Sequence, residues 1–147
     1  MPTRTARTAW NGTLEEGTGQ VELSSSKVGT YEVSFPKRAA DEAGGTTSPE
    51  ELIAAAHSAC YAMQLSACVA QAGGTPQSLE VKADVSLGPD SADGGFRLTG
   101  ITLTVRGEVD GLDEAGFVKA AEAAKAGCPV SKALTGVEIS LDAALES

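Results

Sequence analysis

One long apolar stretch in the middle of the chain constrains its fold more than any other feature. Ser48 and Pro49 are typical of a helix start, and Glu51 at the third helical position predicts a capping box. Gly73 and Gly74 predict the end. We therefore expect a helix from about Pro49 to Gln71. Because its residues are apolar almost all the way round, it should be enclosed by protein on all sides, or by protein plus a partner subunit.

Shorter segments on both sides of this helix predict strands, because apolar and polar residues alternate in them. These segments are Thr5–Trp10, Gln20–Ser25, Thr30–Phe35, Ser78–Leu87, Phe96–Val109 and Val137–Leu145. Residues 37–47 predict a loop, and Asp113 caps a second helix that runs to Ala126. A further helical turn follows from Val130 to Leu134. This order predicts an α+β fold in a single domain spanning residues 1–147.

The charge balance excludes several classes of partner. The chain of 147 residues has 11 basic and 20 acidic side chains, for a net charge of −9, which argues against nucleic acids and anionic membranes. We expect no apolar run of the roughly 20 residues that cross a bilayer. Residues 1–13 lack the apolar core of a secretory signal. A cytoplasmic location follows, in which the three cysteines stay reduced and are buried, catalytic or metal-binding.

Three cysteines and one histidine are the candidates for chemistry. Cys68 is expected to pack as a small hydrophobic residue. Cys128 precedes Pro129 at a helix cap, where unpaired N–H groups favour a thiolate. Cys60 lies in mid-helix and needs a positive charge brought to it. His57, one turn before Cys60, is a base partner, a packed residue with its polar edge satisfied, or a zinc ligand together with the three cysteines, although their spacing gives poor zinc geometry.

Two segments resemble the cysteine motifs of a known family. Residues 47–60 (TSPEELIAAAHSAC) resemble the first cysteine motif of the osmotically inducible protein C / organic hydroperoxide resistance (OsmC/Ohr) family, and residues 124–131 (AKAGCPVS) resemble the second. His57 and the Glu50-Glu51 pair suggest the OsmC branch. The resemblance covers essentially the whole chain. It implies an OsmC-like fold, with antiparallel sheets around a long central buried helix in an intertwined homodimer.

The resemblance also implies a thiol peroxidase that acts in oxidative stress. Cys60 would attack an organic hydroperoxide, with hydrogen peroxide as a further candidate substrate, and become a sulfenic acid. Cys128 would then form a disulfide with it. Arg38 would lower the pKa of Cys60 and stabilise the departing alkoxide, Glu50 would hold that arginine, and Arg7 is a second candidate for the arginine. The family implies no metal or cofactor, and an external lipoyl-type dithiol as the reductant.

Elementary chemistry supports these roles and leaves two alternatives. Only a thiolate is nucleophilic, and burial opposes its formation while a nearby guanidinium favours it. One alternative is a Cys-His hydrolase that uses Cys60 and His57, although neighbours on one buried helix leave little room for an acyl substrate. The other is a non-enzymatic, stress-induced binding protein whose cysteines are structural.

The distance between Glu50 and Cys60 predicts a site shared by two chains. A helix rises about 1.5 Å per residue, so these two residues are about 15 Å apart along one helix. No arginine can bind the glutamate and reach the sulfur over that distance. We therefore expect Glu50 and its arginine to come from a neighbouring subunit of an obligate homodimer, unless a bend in the helix brings Glu50 back to its own Cys60.

Overall fold

The first part of the chain folds around a small sheet. In this computed structural model, which describes residues 1–146, the chain divides into two compact units, Met1–Leu52 and Ile53–Ser147. In the first unit, three strands pair antiparallel in the order β1 (Arg7–Asn11), β2 (Thr18–Glu22) and β3 (Thr30–Val33). The prediction of a single domain over residues 1–147 stays a prediction.

A short helix, α1 (Phe35–Ala39), follows the first sheet. The predictions of a strand up to Phe35 and of a loop starting at residue 37 are therefore wrong. Ser34 caps the helix, since its hydroxyl accepts a hydrogen bond from the backbone N–H of Lys37 at 3.4 Å, and Pro36 lies in the first turn. These are the same signals that mark the start of the long helix, but a helix of five residues has no apolar periodicity to confirm them.

The long helix, α2 (Pro49–Gln71), has the predicted bounds. The Ser48 hydroxyl accepts a hydrogen bond from the Glu51 backbone N–H at 3.1 Å, as expected for a helix cap. The Glu51 carboxylate does not close the capping box, because it accepts a hydrogen bond from the Thr47 hydroxyl at 2.5 Å. At the other end, Gly73 takes a positive φ of 92°, which few other residues tolerate, and terminates the helix.

Helix α2 is buried on one side and exposed on the other. The buried side packs in the core of the second unit through Tyr61, Leu65 and Val69. Four exposed residues, spaced at intervals of four, form a face that we call the alanine stripe: Ala55, Ala59, Met63 and Ala67. The expectation of a helix enclosed on all sides is therefore wrong for a single chain, since Met63 alone is 73% exposed.

By length and composition, α2 is also apolar enough to cross a membrane. The expectation that no apolar run would reach this length is therefore wrong. Its fully buried side nevertheless packs against Leu103, Val105 and Phe117, as the core helix of a globular protein does.

The second unit contains a mixed sheet with two helices. Its strands are β4 (Thr75–Pro89), β5 (Phe96–Asp110) and β6 (Ile139–Leu145), in the order β4-β5-β6. Strands β4 and β5 are antiparallel, but β6 pairs with β5 in parallel, so the expectation of antiparallel sheets is wrong for β6. The reason is the crossover between β5 and β6, which runs through α3 (Glu114–Gly127) and α4 (Pro129–Ala133). The predicted α+β class is confirmed.

Candidate active site

Two of the predicted residues, Cys60 and Cys128, meet in the second unit. Cys60 lies midway along α2 and is half-buried, whereas Cys128 is fully buried between α3 and α4 and is the N-cap residue of α4. Their sulfur atoms are 3.2 Å apart and both are free thiols. Since the sulfurs of a disulfide are about 2.05 Å apart, an approach of about 1 Å would join them. The pair is therefore placed to form a disulfide.

The surroundings of the two thiols affect their ionisation in opposite directions. Burial raises the pKa of Cys60, the Val130 backbone N–H partly offsets this, and the neighbouring Cys128 raises it further. Burial opposes ionisation of Cys128 too. Hydrogen bonds outweigh the effect of burial, so the pKa of Cys128 is lowered overall. The donors are the Ser131 N–H, the Cys60 thiol, the Ser131 hydroxyl and the Val130 N–H. Cys60 therefore needs an added positive charge to become a thiolate, as its mid-helix position predicted.

The other two predicted residues, Arg38 and Glu50, meet in the first unit. The Nε of Arg38 donates to both carboxylate oxygens of Glu50, at 2.9 and 3.2 Å, and its Nη2 donates to Oε1 at 2.7 Å. Glu50 is only 7% exposed, and a buried carboxylate is costly without such a bidentate partner. The Nη1 of Arg38 has no hydrogen-bond partner among residues 1–146. The alternative arginine, Arg7, lies exposed on β1.

A cavity of about 430 Å³ lies beside Arg38 in the first unit. Its wall is mostly apolar and includes Trp10, Leu14, Val33 and Leu52 together with Arg38. An apolar cavity with one cation in its wall suits a ligand that has a hydrocarbon part and a group that is or becomes negative.

His57 and Ser131 form a buried pair next to the cysteines. His57 is fully buried and its Nε2 lies 2.7 Å from the Ser131 hydroxyl oxygen. The histidine hydrogen bond that the structure shows thus goes to Ser131, a residue to which the sequence interpretation gave no role. The one available signal was the position of Ser131 three residues after Cys128, at the start of the same short helix.

The remaining cysteine stands apart from this cluster. Cys68 is half-buried, and its sulfur lies 3.8 Å from the side-chain amide of Gln64, in keeping with packing as a small hydrophobic residue. Within residues 1–146, no three His, Cys, Asp or Glu side chains are grouped so that they could hold a metal ion.

Comparison with known proteins gives consistent results at the levels of family, sequence and structure. The OsmC-like protein family matches residues 41–142. The chain is 44% identical to the peroxiredoxin OsmC of Escherichia coli (strain K12), over 94% of this chain and 93% of that protein. It is 38% identical to the organic hydroperoxide resistance protein OhrA of Bacillus subtilis (strain 168), over 83% and 85%. The crystal structure of Bacillus subtilis OhrB superposes with a TM-score of 0.75 at 30% identity, over 95% of this chain and 97% of that one.

Proposed function

The chain belongs to the OsmC-like protein family, as its two cysteine motifs predicted, and on this premise we propose that it is a cysteine-based peroxidase that reduces organic hydroperoxides to alcohols. The relatives named peroxiredoxin and organic hydroperoxide resistance protein support a peroxidase-type function in stress. The single observation that carries the proposal is the 3.2 Å separation of the Cys60 and Cys128 sulfurs. The half-buried Cys60 sulfur can contact a substrate, and the buried Cys128 sulfur lies beside it, ready for disulfide formation.

The first proposed step oxidises Cys60. Its thiolate attacks the terminal oxygen of the hydroperoxide, a sulfur–oxygen bond forms and the oxygen–oxygen bond breaks. The electron pair leaves with the alkoxide, which takes a proton from water and becomes an alcohol. The sulfur is now a sulfenic acid, the first and reversible step of cysteine oxidation.

The second proposed step joins the two cysteines. The thiolate of Cys128 attacks the Cys60 sulfur, the disulfide forms and the sulfur–oxygen bond breaks. The hydroxide that leaves takes up a proton, so the step releases one water. An external dithiol, of the lipoyl type that the family implies, then reduces the disulfide by two thiol exchanges and is itself oxidised to a disulfide. We also propose a cytoplasmic location, where such dithiols are kept reduced.

In this proposal Arg38 is the cation of the site, and Glu50 holds it in position. Glu50 binds the Nε and Nη2 side of the guanidinium, which leaves Nη1 for the Cys60 thiolate and the departing alkoxide. A cation at this place lowers the pKa of the thiol and stabilises the charge that develops on oxygen. The apolar cavity beside Arg38 supports an organic substrate, because its wall would contact the hydrocarbon part.

We further propose that these residues act across a homodimer. Helix α2 is continuous from Pro49 to Gln71, and its rise places Glu50 about 15 Å along the axis from Cys60. The alanine stripe leaves an apolar face of the same helix exposed, and small residues allow close contact with a second chain related by two-fold symmetry. Each site would then combine Arg38 and Glu50 of one chain with Cys60 and Cys128 of the other.

Counting thiols before and after oxidation tests the proposed function. We expect one equivalent of cumene hydroperoxide to remove two of the three thiols per chain, because the sulfenic acid on Cys60 is converted to a disulfide with Cys128. Thiols are counted with a chromogenic disulfide on the unfolded protein, and peptide mapping identifies the linked pair. Retention of all three thiols would contradict the proposal and support the binding-protein alternative.

The pH dependence of the first step tests the choice of arginine. In Arg38→Ala, the pKa of Cys60 should rise because no guanidinium then counters the effect of burial, so the rate of sulfenic acid formation should reach its plateau about 1–3 pH units higher than in the wild type. Below that plateau the variant is slower at every pH. The measurement is the rate against pH under stopped flow.

Two further variants make this test specific. Arg38→Lys keeps the charge but loses the bidentate contact with Glu50, so its pH profile should lie between those of the wild type and Arg38→Ala. Arg7→Ala should retain the wild-type profile. A shifted profile in Arg7→Ala with an unchanged one in Arg38→Ala would mean that the arginine was assigned wrongly.

A further inference from the structure

Two buried side chains, those of His57 and Ser131, lie near Cys128, the buried member of the cysteine pair. His57 and Cys128 are fully buried, and Ser131 is 5% exposed. The Nε2 of His57 lies 2.7 Å from the Ser131 hydroxyl oxygen. Ser131 is the third residue of α4 and Cys128 is its N-cap residue, positions whose side chains lie close together at a helix start. From there, a hydrogen bond from the Ser131 side chain is one of the causes that lower the pKa of Cys128. Ser131 therefore links His57 to the start of α4, where the reacting sulfur lies.

The surroundings of His57 fix the direction of these hydrogen bonds. Burial lowers the pKa of His57, so at neutral pH the ring is uncharged and carries a single N–H. Its Nδ1 is buried and has no hydrogen-bond partner among residues 1–146. An N–H there would be left without an acceptor, so the hydrogen belongs on Nε2. The Nε2 then donates to the Ser131 oxygen, which leaves the Ser131 hydroxyl hydrogen available for the Cys128 sulfur.

We propose that His57 and Ser131 form a chain of hydrogen-bond donors that holds Cys128 as the thiolate that attacks oxidised Cys60. Ser131 is a catalytic residue in this scheme because its hydroxyl donates to the reacting sulfur there, and His57 is a positioning residue that acts through it. The inference rests on the proposed function and deepens its second step. The proton that Cys128 loses on ionising goes to solvent, and the hydroxide that leaves Cys60 takes one up, so the step still releases one water.

The titratable neighbours of Cys128 leave its own ionisation visible in a pH profile. On α2 these neighbours are Cys60, His57 and Tyr61. Burial raises the pKa of Tyr61, whose hydroxyl donates to the Ala121 carbonyl at 2.8 Å, so it stays protonated. His57 stays neutral, and Cys60 no longer titrates once it is derivatised. On α4, the groups that act on the sulfur are the uncharged Val130 and Ser131.

A disulfide reagent allows the reactions of the two cysteines to be observed separately, without any peroxide. In a Cys68→Ser background, 2,2′-dithiodipyridine reacts with the half-buried Cys60 and releases one pyridinethione. Cys128 then attacks the Cys60 sulfur, the protein disulfide forms and a second pyridinethione leaves. The two releases are followed by absorbance under stopped flow, as a function of pH. The first release reports Cys60 and the second reports the thiolate of Cys128.

We expect Ser131→Ala and His57→Leu to move the midpoint of the second release about 1–2 pH units upward, since a hydrogen bond to a charged group is lost. The first release should not move upward, because a less ionised Cys128 raises the pKa of Cys60 less. His57→Gln, which keeps an amide N–H, and Ser131→Thr, which keeps a hydroxyl, should restore the wild-type midpoint. A merely structural role for the pair would not give this rescue.

Ser58→Ala is the matched control, because this neighbour of His57 donates its hydroxyl to the Ala55 carbonyl at 3.2 Å, and it should behave as the wild type. Wild-type midpoints in both Ser131→Ala and His57→Leu would overturn the inference. If Ser131→Ala does not fold, a wild-type midpoint in His57→Leu overturns it alone. Failure of the proposed function appears separately, as retention of three thiols after hydroperoxide, while this test proceeds unaffected.

Discussion

Replacing Cys60 with serine is expected to abolish hydroperoxide reduction. A hydroxyl does not ionise at neutral pH, so the variant has no nucleophile at the half-buried position that substrate can reach. Cys128 is fully buried and cannot take over. The measurement is consumption of cumene hydroperoxide with a dithiol in excess. Sustained turnover by Cys60→Ser would contradict the assignment of the attacking cysteine.

The companion variant Cys128→Ser should stop at a different stage. It should reduce one equivalent of hydroperoxide and then hold a sulfenic acid on Cys60, because the sulfur that lies 3.2 Å away has been removed. A sulfenic-acid probe such as dimedone, read by mass spectrometry, should label Cys60 alone. Cys68→Ser serves as the matched cysteine control and should keep most of the activity, with a loss of stability as its main effect.

Two inactive chains are expected to restore activity when they are refolded together. In a heterodimer of Cys60→Ser and Glu50→Ala, one composite site combines both defects. The other combines the intact cysteines of one chain with the intact Arg38 and Glu50 of its partner. One site of two should therefore work. The measurement is peroxidase activity of a heterodimer isolated by two different affinity tags.

The control for this experiment is a heterodimer of Cys60→Ser and Cys128→Ser. Both chains then carry a broken cysteine pair, so neither site should turn over even though the dimer forms. If the Cys60→Ser and Glu50→Ala heterodimer is equally inactive, the shared site is contradicted. A bend in α2 that brings Glu50 to its own Cys60 then becomes the better explanation.

The parts of this molecule that the sequence predicted are those with local causes. The bounds of α2 follow from a serine cap at one end and a glycine with positive φ at the other, both visible in a few residues. The parallel pairing of β6 depends on how a whole crossover packs, and no local pattern reports it. The exposed alanine stripe was hidden for the same reason, since apolar residues all round a helix do not say which side the chain itself covers.

The site residues, too, fall into those that local sequence predicted and those that only the fold reveals. Local motifs and the family resemblance identified Cys60, Cys128, Arg38 and Glu50, and the structure brings these residues into two close pairs. Their catalytic roles stay predictions. The contact between His57 and Ser131 joins residues 74 positions apart, so only the fold could reveal it. The sequence marked His57 as a candidate, but nothing in it indicated that Ser131 would be its partner.

The complete burial of Cys128 also sets the direction in which the oxidised protein would be reduced. If the proposed disulfide forms, an incoming dithiol would reach only its Cys60 side, so the mixed disulfide would form on Cys60 and Cys128 would be the leaving group. A thiol with a lowered pKa departs faster, and the Ser131 and Val130 groups that lower the pKa of Cys128 would act on the departing sulfur. The surroundings that favour closure of the disulfide would thus also favour its opening, and each turnover would begin and end at the same half-buried sulfur.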